Sequence, residues 1–167
     1  MVILWVYLIT LFMSKTIDDF QNFFDKDKQK ETFLLCKAIN KSIQIIQSSF
    51  KTENISYNGY LNELQHVILV ILNNARDILI SEATINPEIS INLESTQDGV
   101  FIKICDNAGG IKTEVIERIF EPYYTTKHKS QGRGLGLYIS KMIIEDSFDG
   151  ELNAHNSNNG ACFIIKI

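Results

Sequence analysis

The chain has 167 residues, a formal net charge of −4 and a pI near 5.4. That is room for one ordinary domain plus an additional element, and the acidic balance argues against a nucleic-acid-binding surface. Hydrophobic residues make up 45% and charged residues 22%, the proportions of a soluble globular protein and not of a disordered or fibrous one.

Met1 to Phe12 is apolar throughout. It is shorter than the roughly 20 residues needed to cross a bilayer, and no positive flank or small-residue cleavage site marks it as a signal peptide. A buried helix start, the stub of a membrane helix and a sequence junction all remain open for it. Ile17, Phe20, Phe23 and Phe24 form one apolar stripe, which predicts a helix from Ser14 to about Phe24. The polar run Asp25 to Lys30 reads as a break. A second helix is predicted from about Leu34 to Phe50, with Leu35, Ala38, Ile39, Ile45 and Ile46 on one face. Ile55-Ser56-Tyr57 reads as a short strand and Asn58-Gly59 as a turn.

The clearest helical period runs from Glu63 to about Ser81, through Leu64, Val67, Ile68, Ile71, Leu72, Ala75, Ile78 and Leu79. Glu63, Val70, Asn74 and Asp77 line its flank, so Asn74 and Asp77 point the same way one turn apart. Ile89–Glu94 and Val100–Cys105 alternate as strands around a Gln97-Asp98-Gly99 hairpin turn, which leaves Asp106 at a strand end. A short helix is predicted over Thr113–Ile119, a flexible polar lid over Thr125–Gly132, and a helix over Leu135–Glu145 whose N-terminus is a glycine run. Glu151–His155 and Ala161–Ile167 form a last hairpin. Cys36, Cys105 and Cys162 lack metal-ligand spacing. The latter two fall in predicted strands and read as small core residues, which fits a reduced, cytosolic compartment. Strands grouped with helices predict an α+β sandwich, not a doubly wound parallel sheet.

Four motifs carry chemistry: Asn73-Asn74-Ala75-Arg76-Asp77, Asp106-Asn107-Ala108-Gly109-Gly110, Phe120-Glu121-Pro122-Tyr123-Tyr124-Thr125-Thr126-Lys127 and Gly132-Arg133-Gly134-Leu135-Gly136-Leu137. The amide of Asn74 is a ligand type that Mg²⁺ accepts, although an asparagine pair on a helix also reads as a solvated face. Asp106 offers a carboxylate to the exocyclic amine of adenine, a charge-assisted bond of about 1.5–3 kcal/mol; an ordinary turn after a strand is the plainer reading. Gly132, Gly134 and Gly136 open a helix whose free amides and dipole favour phosphate. A dinucleotide fingerprint would need a βαβ context that is missing here, and a P-loop would end in Gly-Lys-Ser/Thr. The basic run Lys127-His128-Lys129, with Arg133, suits phosphate neutralisation or a solvated loop.

In order and spacing these motifs resemble the ATP-binding domain of sensor histidine kinases, over about Asn54 to Ile167, and Met13–Phe24 resembles the second helix of the kinase dimerisation hairpin. The resemblance implies a two-layer α/β sandwich of the Bergerat type, a mixed sheet with helices on one face, preceded by a helical segment. It divides the chain into an apolar segment (1–12), a partial dimerisation helix and connection (13–52) and an ATP-binding catalytic domain (53–167). It implies ATP and Mg²⁺ as cofactors, Asn74 as the metal ligand, and Asn74, Asp77, Asp106, Gly110, Lys127, Gly132, Gly134, Leu135 and Gly136 as ATP-binding residues. Gly160-Ala161-Cys162-Phe163 resembles the family's final glycine box, and Phe120 would pack the lid base onto the core.

Two departures from the pattern matter for activity, Val70 and the missing phosphoacceptor histidine, and Ala108 is a mild one. The family's first acidic-box glycine is Ala108, and Val70 stands where the kinases usually carry a second asparagine or a histidine and the gyrase and chaperone relatives a water-activating glutamate. Valine can neither bind metal nor act as a base. The phosphoacceptor histidine is also missing, since His66, His128 and His155 all fall within the ATP domain, and a truncated kinase, a gene fragment or a split reading frame is the expected origin. The implied partners are a second copy of the chain or an intact kinase, and a response regulator. Nucleic acid is not expected, and a membrane is expected only through missing upstream segments. Two functions therefore stand: the catalytic domain of a histidine kinase in the cytoplasm, or a non-catalytic ATP-binding regulatory module that pairs with an intact kinase.

Overall fold

Glu31–Leu34 (β1) and Ser56–Gly59 (β2) pair antiparallel, with Phe33 opposite Tyr57. The computed structural model describes residues 30–35, 55–126, 134–157 and 159–167, and the unit they build lies within Glu31–Ile167. The expected helix over Ser14–Phe24, most of the one expected over Leu34–Phe50, and the lid from Lys127 lie outside the described residues. Leu34 itself ends β1, and Leu35 is fully buried, with its N–H bonded to the Ile55 carbonyl at 3.0 Å. Asn58-Gly59 is strand and not turn. The Phe33 and Tyr57 rings meet edge-on at 6.4 Å, and Tyr57 stacks at 5.9 Å on Phe148, so this ribbon is held by aromatic contacts that a turn there would break.

Leu61–Ser81 forms helix α1, close to its expected span. Leu64, Val67, Ile68, Ile71, Leu72, Ala75 and Leu79 are buried on one face, and Ile78 is half-buried. At its C-terminus Ala83 takes the left-handed conformation (φ 46°), and the Thr84 N–H closes onto the Leu79 carbonyl at 3.1 Å. Ile89–Thr96 (β3) and Gly99–Asp106 (β4) are joined by the two-residue turn Gln97-Asp98. Gly99 adopts φ 129°, open only to glycine in practice. Thr113–Val115 is a single 3₁₀ turn in place of the expected helix. The backbone bonds from Val115 to Lys112, Arg118 to Val115, Glu121 to Arg118 and Tyr124 to Glu121 each span three residues, a chain of tight turns in place of an α-helix. Gly136–Phe148 is helix α2, and Glu151–Asn156 (β5) and Ala161–Lys166 (β6) make the last hairpin.

The four-stranded sheet has the order β3-β4-β6-β5. The resemblance implies a mixed sheet; among the described residues every pairing is antiparallel, because its strands are joined by hairpins or register against the hairpin of the other pair. Ile102, Ile104, Leu152, Phe163 and Ile165 are buried, alternate residues of the sheet face that the helices cover. Each contributes roughly 1.5–3 kcal/mol by leaving water. The architecture is thus the expected α+β sandwich of one sheet and one helical layer.

Cys105 and Cys162 depart from the reading as separate core thiols. They are register partners on β4 and β6 and are joined in a disulfide, their Cα atoms 4.1 Å apart. Each strand alone shows one cysteine of plausible core type; only the pairing of strands 57 residues apart brings the sulfurs together.

Candidate functional site

Asp106 closes β4 on the face turned to the helices and is 8% exposed. A buried carboxylate needs hydrogen-bond partners, and its Oδ1 accepts the backbone N–H of Ala108 at 2.9 Å and of Ala161 at 3.2 Å. Among the described residues Oδ2 accepts none, so it is the oxygen left to meet a ligand donor. Gly160 lies so close to the Asp106 carbonyl oxygen that a Cβ there would overlap it. Ala108 is not among the residues with positive φ, whereas Gly109 and Gly110 have φ of 83° and 87°. The alanine that departs from the family pattern therefore sits at a backbone position any residue can adopt, and the demanding positions carry glycine.

Two asparagines fasten this loop. Asn107 accepts the Glu88 N–H at 2.9 Å and donates to the Asn86 carbonyl at 2.9 Å, which ties the motif to the segment entering β3. Asn156, at the end of β5, accepts the Ile111 N–H and donates to the Ile111 carbonyl, both at 2.7 Å. Its side-chain amide imitates one rung of a strand ladder. Gly109 donates to the Asn159 carbonyl at 3.0 Å. Sequence reasoning missed both clamps. Asn156 and Ile111 are 45 residues apart, and no local pattern announces such a pair.

On α1, Asn74 and Asp77 are both half-buried while Asn73 is exposed, as the flank geometry predicts. Asp77 also pairs with Arg76 at 2.9 Å, at a well-solvated place where such a bond contributes little. Val70, one turn before Asn74, faces the start of α2: a Cβ on Gly136 would stand 3.1 Å from Val70 Cγ1. The position that departs from the kinase pattern thus abuts the glycine motif.

The N-terminus of α2 has Leu135 as its cap residue and no side-chain cap, so its first amides are available to an anion. Gly134 precedes it at φ 67°, and a Cβ there would lie 2.5 Å from the Tyr123 carbonyl carbon and the Tyr124 oxygen. Backbone meets backbone at that point, so Tyr123–Tyr124 and Gly134 form the neck of the segment between them. Phe120 anchors the neck as expected: its ring meets Phe163 edge-on at 6.5 Å, and Lys141 Nζ lies 5.2 Å over it. Arg118 stacks over Tyr124 at 4.7 Å and pairs with Glu121 at 3.2 Å. Lys127 and Gly132 lie outside the described residues. Among the described residues no group of three His, Cys, Asp or Glu side chains could cage a metal, and no helix is long and apolar enough to cross a membrane.

A buried carboxylate with one oxygen tied and one open, glycines beside it and an uncapped helix start across the layer are the parts of a purine nucleotide site. The family model described as histidine kinase-, DNA gyrase B- and HSP90-like ATPase matches residues 59–167. The chain belongs to this family. The two-component sensor PprA of Pseudomonas aeruginosa is 33% identical to it over 141 residues, 80% of this chain and 15% of that protein. Sporulation kinase C of Bacillus subtilis is 31% identical over 142 residues, 84% of this chain and 31% of that protein. The nucleotide-free catalytic domain of histidine kinase ThkA matches with a TM-score of 0.71 at 26% identity, over 84% of this chain and 95% of that one. The chain therefore spans under a third of either curated relative but nearly the whole of a solved catalytic domain. It carries an ATP-binding domain of the histidine-kinase type, in which Asp106 ends β4, Gly110 lies in the loop after it, Asn74 lies within α1 and Gly136 opens α2.

Proposed function

We propose that this chain binds Mg-ATP and donates the terminal phosphoryl group to a histidine on a dimerisation hairpin, as the catalytic part of a two-component sensor kinase in the cytoplasm. The observation that carries the reading is Asp106, with Oδ1 held by two backbone amides and Oδ2 open. That geometry fits the exocyclic amine of adenine and repels the carbonyl that guanine carries at the same position.

The remaining residues have supporting roles. Gly109 and Gly110 let the backbone approach the base. Gly134, Leu135 and Gly136 present amides to the phosphates, with Gly132 and Lys127 completing that cradle. Asp77 flanks the adenine side. The donor set fits Mg²⁺, which retains waters and takes few protein ligands: the one amide oxygen of Asn74, with phosphate oxygens, suffices where the described residues offer no cage of acids. When bound, the ion neutralises phosphate charge. The chain's own contribution to transfer is positioning and charge neutralisation. Met13–Phe24 serves as a partial dimerisation helix, while Glu31–Leu34, expected in the connection, belongs to the same unit as the ATP-binding domain through its pairing with β2; a second copy or an intact kinase is then the partner and a response regulator the onward acceptor.

Val70 favours a second reading, a nucleotide-responsive module that regulates an intact kinase. It abuts Gly136 with a side chain that can neither bind metal nor take a proton. Incubation with γ-labelled ATP and an isolated histidine-bearing hairpin separates the two. Acid-labile label on the hairpin, and none on this chain, is expected for the kinase; ATP binding with no label on either supports the regulatory module. Label on this chain alone, lost in His128→Ala, would overturn both.

A further inference from the structure

The outer face of the sheet carries a transverse row, Ser90, Cys105, Cys162 and His155, one residue from each strand. Its two central members are bonded, and each adjoins a part of the adenine site in the chain. Cys105 precedes Asp106, and Cys162 follows Ala161, whose N–H is bound by Asp106 Oδ1 at 3.2 Å. The β4–β6 ladder ends at this pair. Beyond it the two strands are held by the Ala161–Asp106 bond and by the close approach of Gly160. A covalent link at the last rung therefore fixes the strand ends that aim the carboxylate. With the Cα atoms 4.1 Å apart in register, bonded and free states need no change of pairing.

We propose that Cys105 and Cys162 are a reversible dithiol–disulfide couple that sets how firmly the adenine-reading end of the sheet is held, with a low-molecular-weight disulfide as oxidant and its thiol as reductant. The proposal rests on Asp106 as the adenine reader and on a thiol-buffered compartment, where protein disulfides are characteristically transient and redox-sensing. Cys105 and Cys162 both line a concavity of about 320 Å³, together with Ser90, Lys103 and Asp106. Cys105 is partly exposed and Cys162 is 1% exposed. Access and the nearby Lys103 cation make Cys105 the attacking thiolate and Cys162 the resolving one.

Cys105 loses its proton and attacks one sulfur of the small disulfide; that S–S bond breaks and one small thiolate leaves. Cys162 loses its proton and attacks the Cys105 sulfur of the mixed disulfide, forming the Cys105–Cys162 bond and expelling the second small thiolate. The protein gives up two electrons and two protons, and one small disulfide becomes two thiols. The bonded state has its adenine site preorganised and binds ATP more tightly.

The test uses the whole chain carrying Cys36→Ser, so that only this pair can exchange. The protein is equilibrated in glutathione buffers from fully reduced to fully oxidised, quenched with an alkylating agent and weighed by mass spectrometry. ATP affinity is measured by calorimetry at both extremes. We expect the alkylation-resistant pair to follow the glutathione ratio, and the bonded form to bind ATP about five-fold or more tightly than the reduced form. A variant with Cys105→Ser and Cys162→Ser should bind like the reduced form in every buffer. Full alkylation in the most oxidising buffer, a bond that survives the most reducing one, or equal ATP affinity in both states overturns the proposal. Absence of ATP binding in both states overturns the nucleotide reading itself and the coupling with it, whereas equal binding leaves that reading standing.

Discussion

Asp106 has one oxygen engaged by two N–H donors, and this decides what its substitution does. An asparagine there keeps its oxygen toward Ala108 and Ala161 and turns its NH₂ toward the ligand, where the adenine amine is also a donor. Asp106→Asn should therefore weaken ATP binding by about 1.5–3 kcal/mol in calorimetric titration, and the unmodified protein should prefer ATP to GTP. Equal affinity for the two nucleotides would refute the assignment. Asn74 and Asn73 differ in burial although adjacent, since a residue step turns the helix by about 100°. Asn74→Ala should remove most of the Mg²⁺-dependent part of ATP affinity, and Asn73→Ala little of it. The same metal dependence in both variants would mean that the metal-facing flank is elsewhere. At Ala108, restoring the family glycine should bring no gain in ATP affinity. It should cost roughly 0.5–1 kcal/mol of stability, because the backbone there needs no glycine and the unfolded chain gains freedom.

At the scale of elements, helix ends decide the geometry more than helix bodies do. α1 is specified by its apolar stripe, but it ends on Ala83, an exposed residue held at φ 46°. A non-glycine residue in that conformation is strained by roughly 1 kcal/mol or more. Ala83→Gly is therefore expected to raise stability by roughly 0.5 kcal/mol after the entropy of a glycine is counted, and the denaturation midpoint with it. Chemical denaturation with an unchanged slope would read this directly; a destabilised variant would show that the end of α1 is not strained. The start of α2 is decided in the opposite way, by Gly134, whose missing side chain lets the Tyr123–Tyr124 backbone close against it.

At the scale of the whole molecule, the β1–β2 ribbon meets the helical layer through aromatic contacts: Tyr57 at 5.9 Å and Tyr60 at 6.2 Å from Phe148. Burial, and then the Asp149 carboxylate, push the Tyr57 phenol above its ordinary pKa. The folded state thus holds this proton to higher pH than the unfolded chain does. The resulting stability is complete below about pH 10, the unfolded value, and is lost as pH rises through the raised folded value. Tyr57→Phe should flatten the alkaline limb of a melting-temperature profile above about pH 10. An unchanged limb would assign that sensitivity to other groups. The periods of α1, the β3–β4 hairpin, the position of Asp106 and the glycine-led start of α2 were legible in sequence, because each rests on a local rule: an apolar repeat, a turn between alternating runs, or an uncapped helix end. Tertiary structure decided what depends on residues far apart in the chain. It paired β1 with β2, clamped Ile111 with Asn156, tied Asp106 to Ala161, and joined Cys105 to Cys162. Strand register and loop closure bring those groups together, and no pattern within one segment encodes which distant segment will lie beside it.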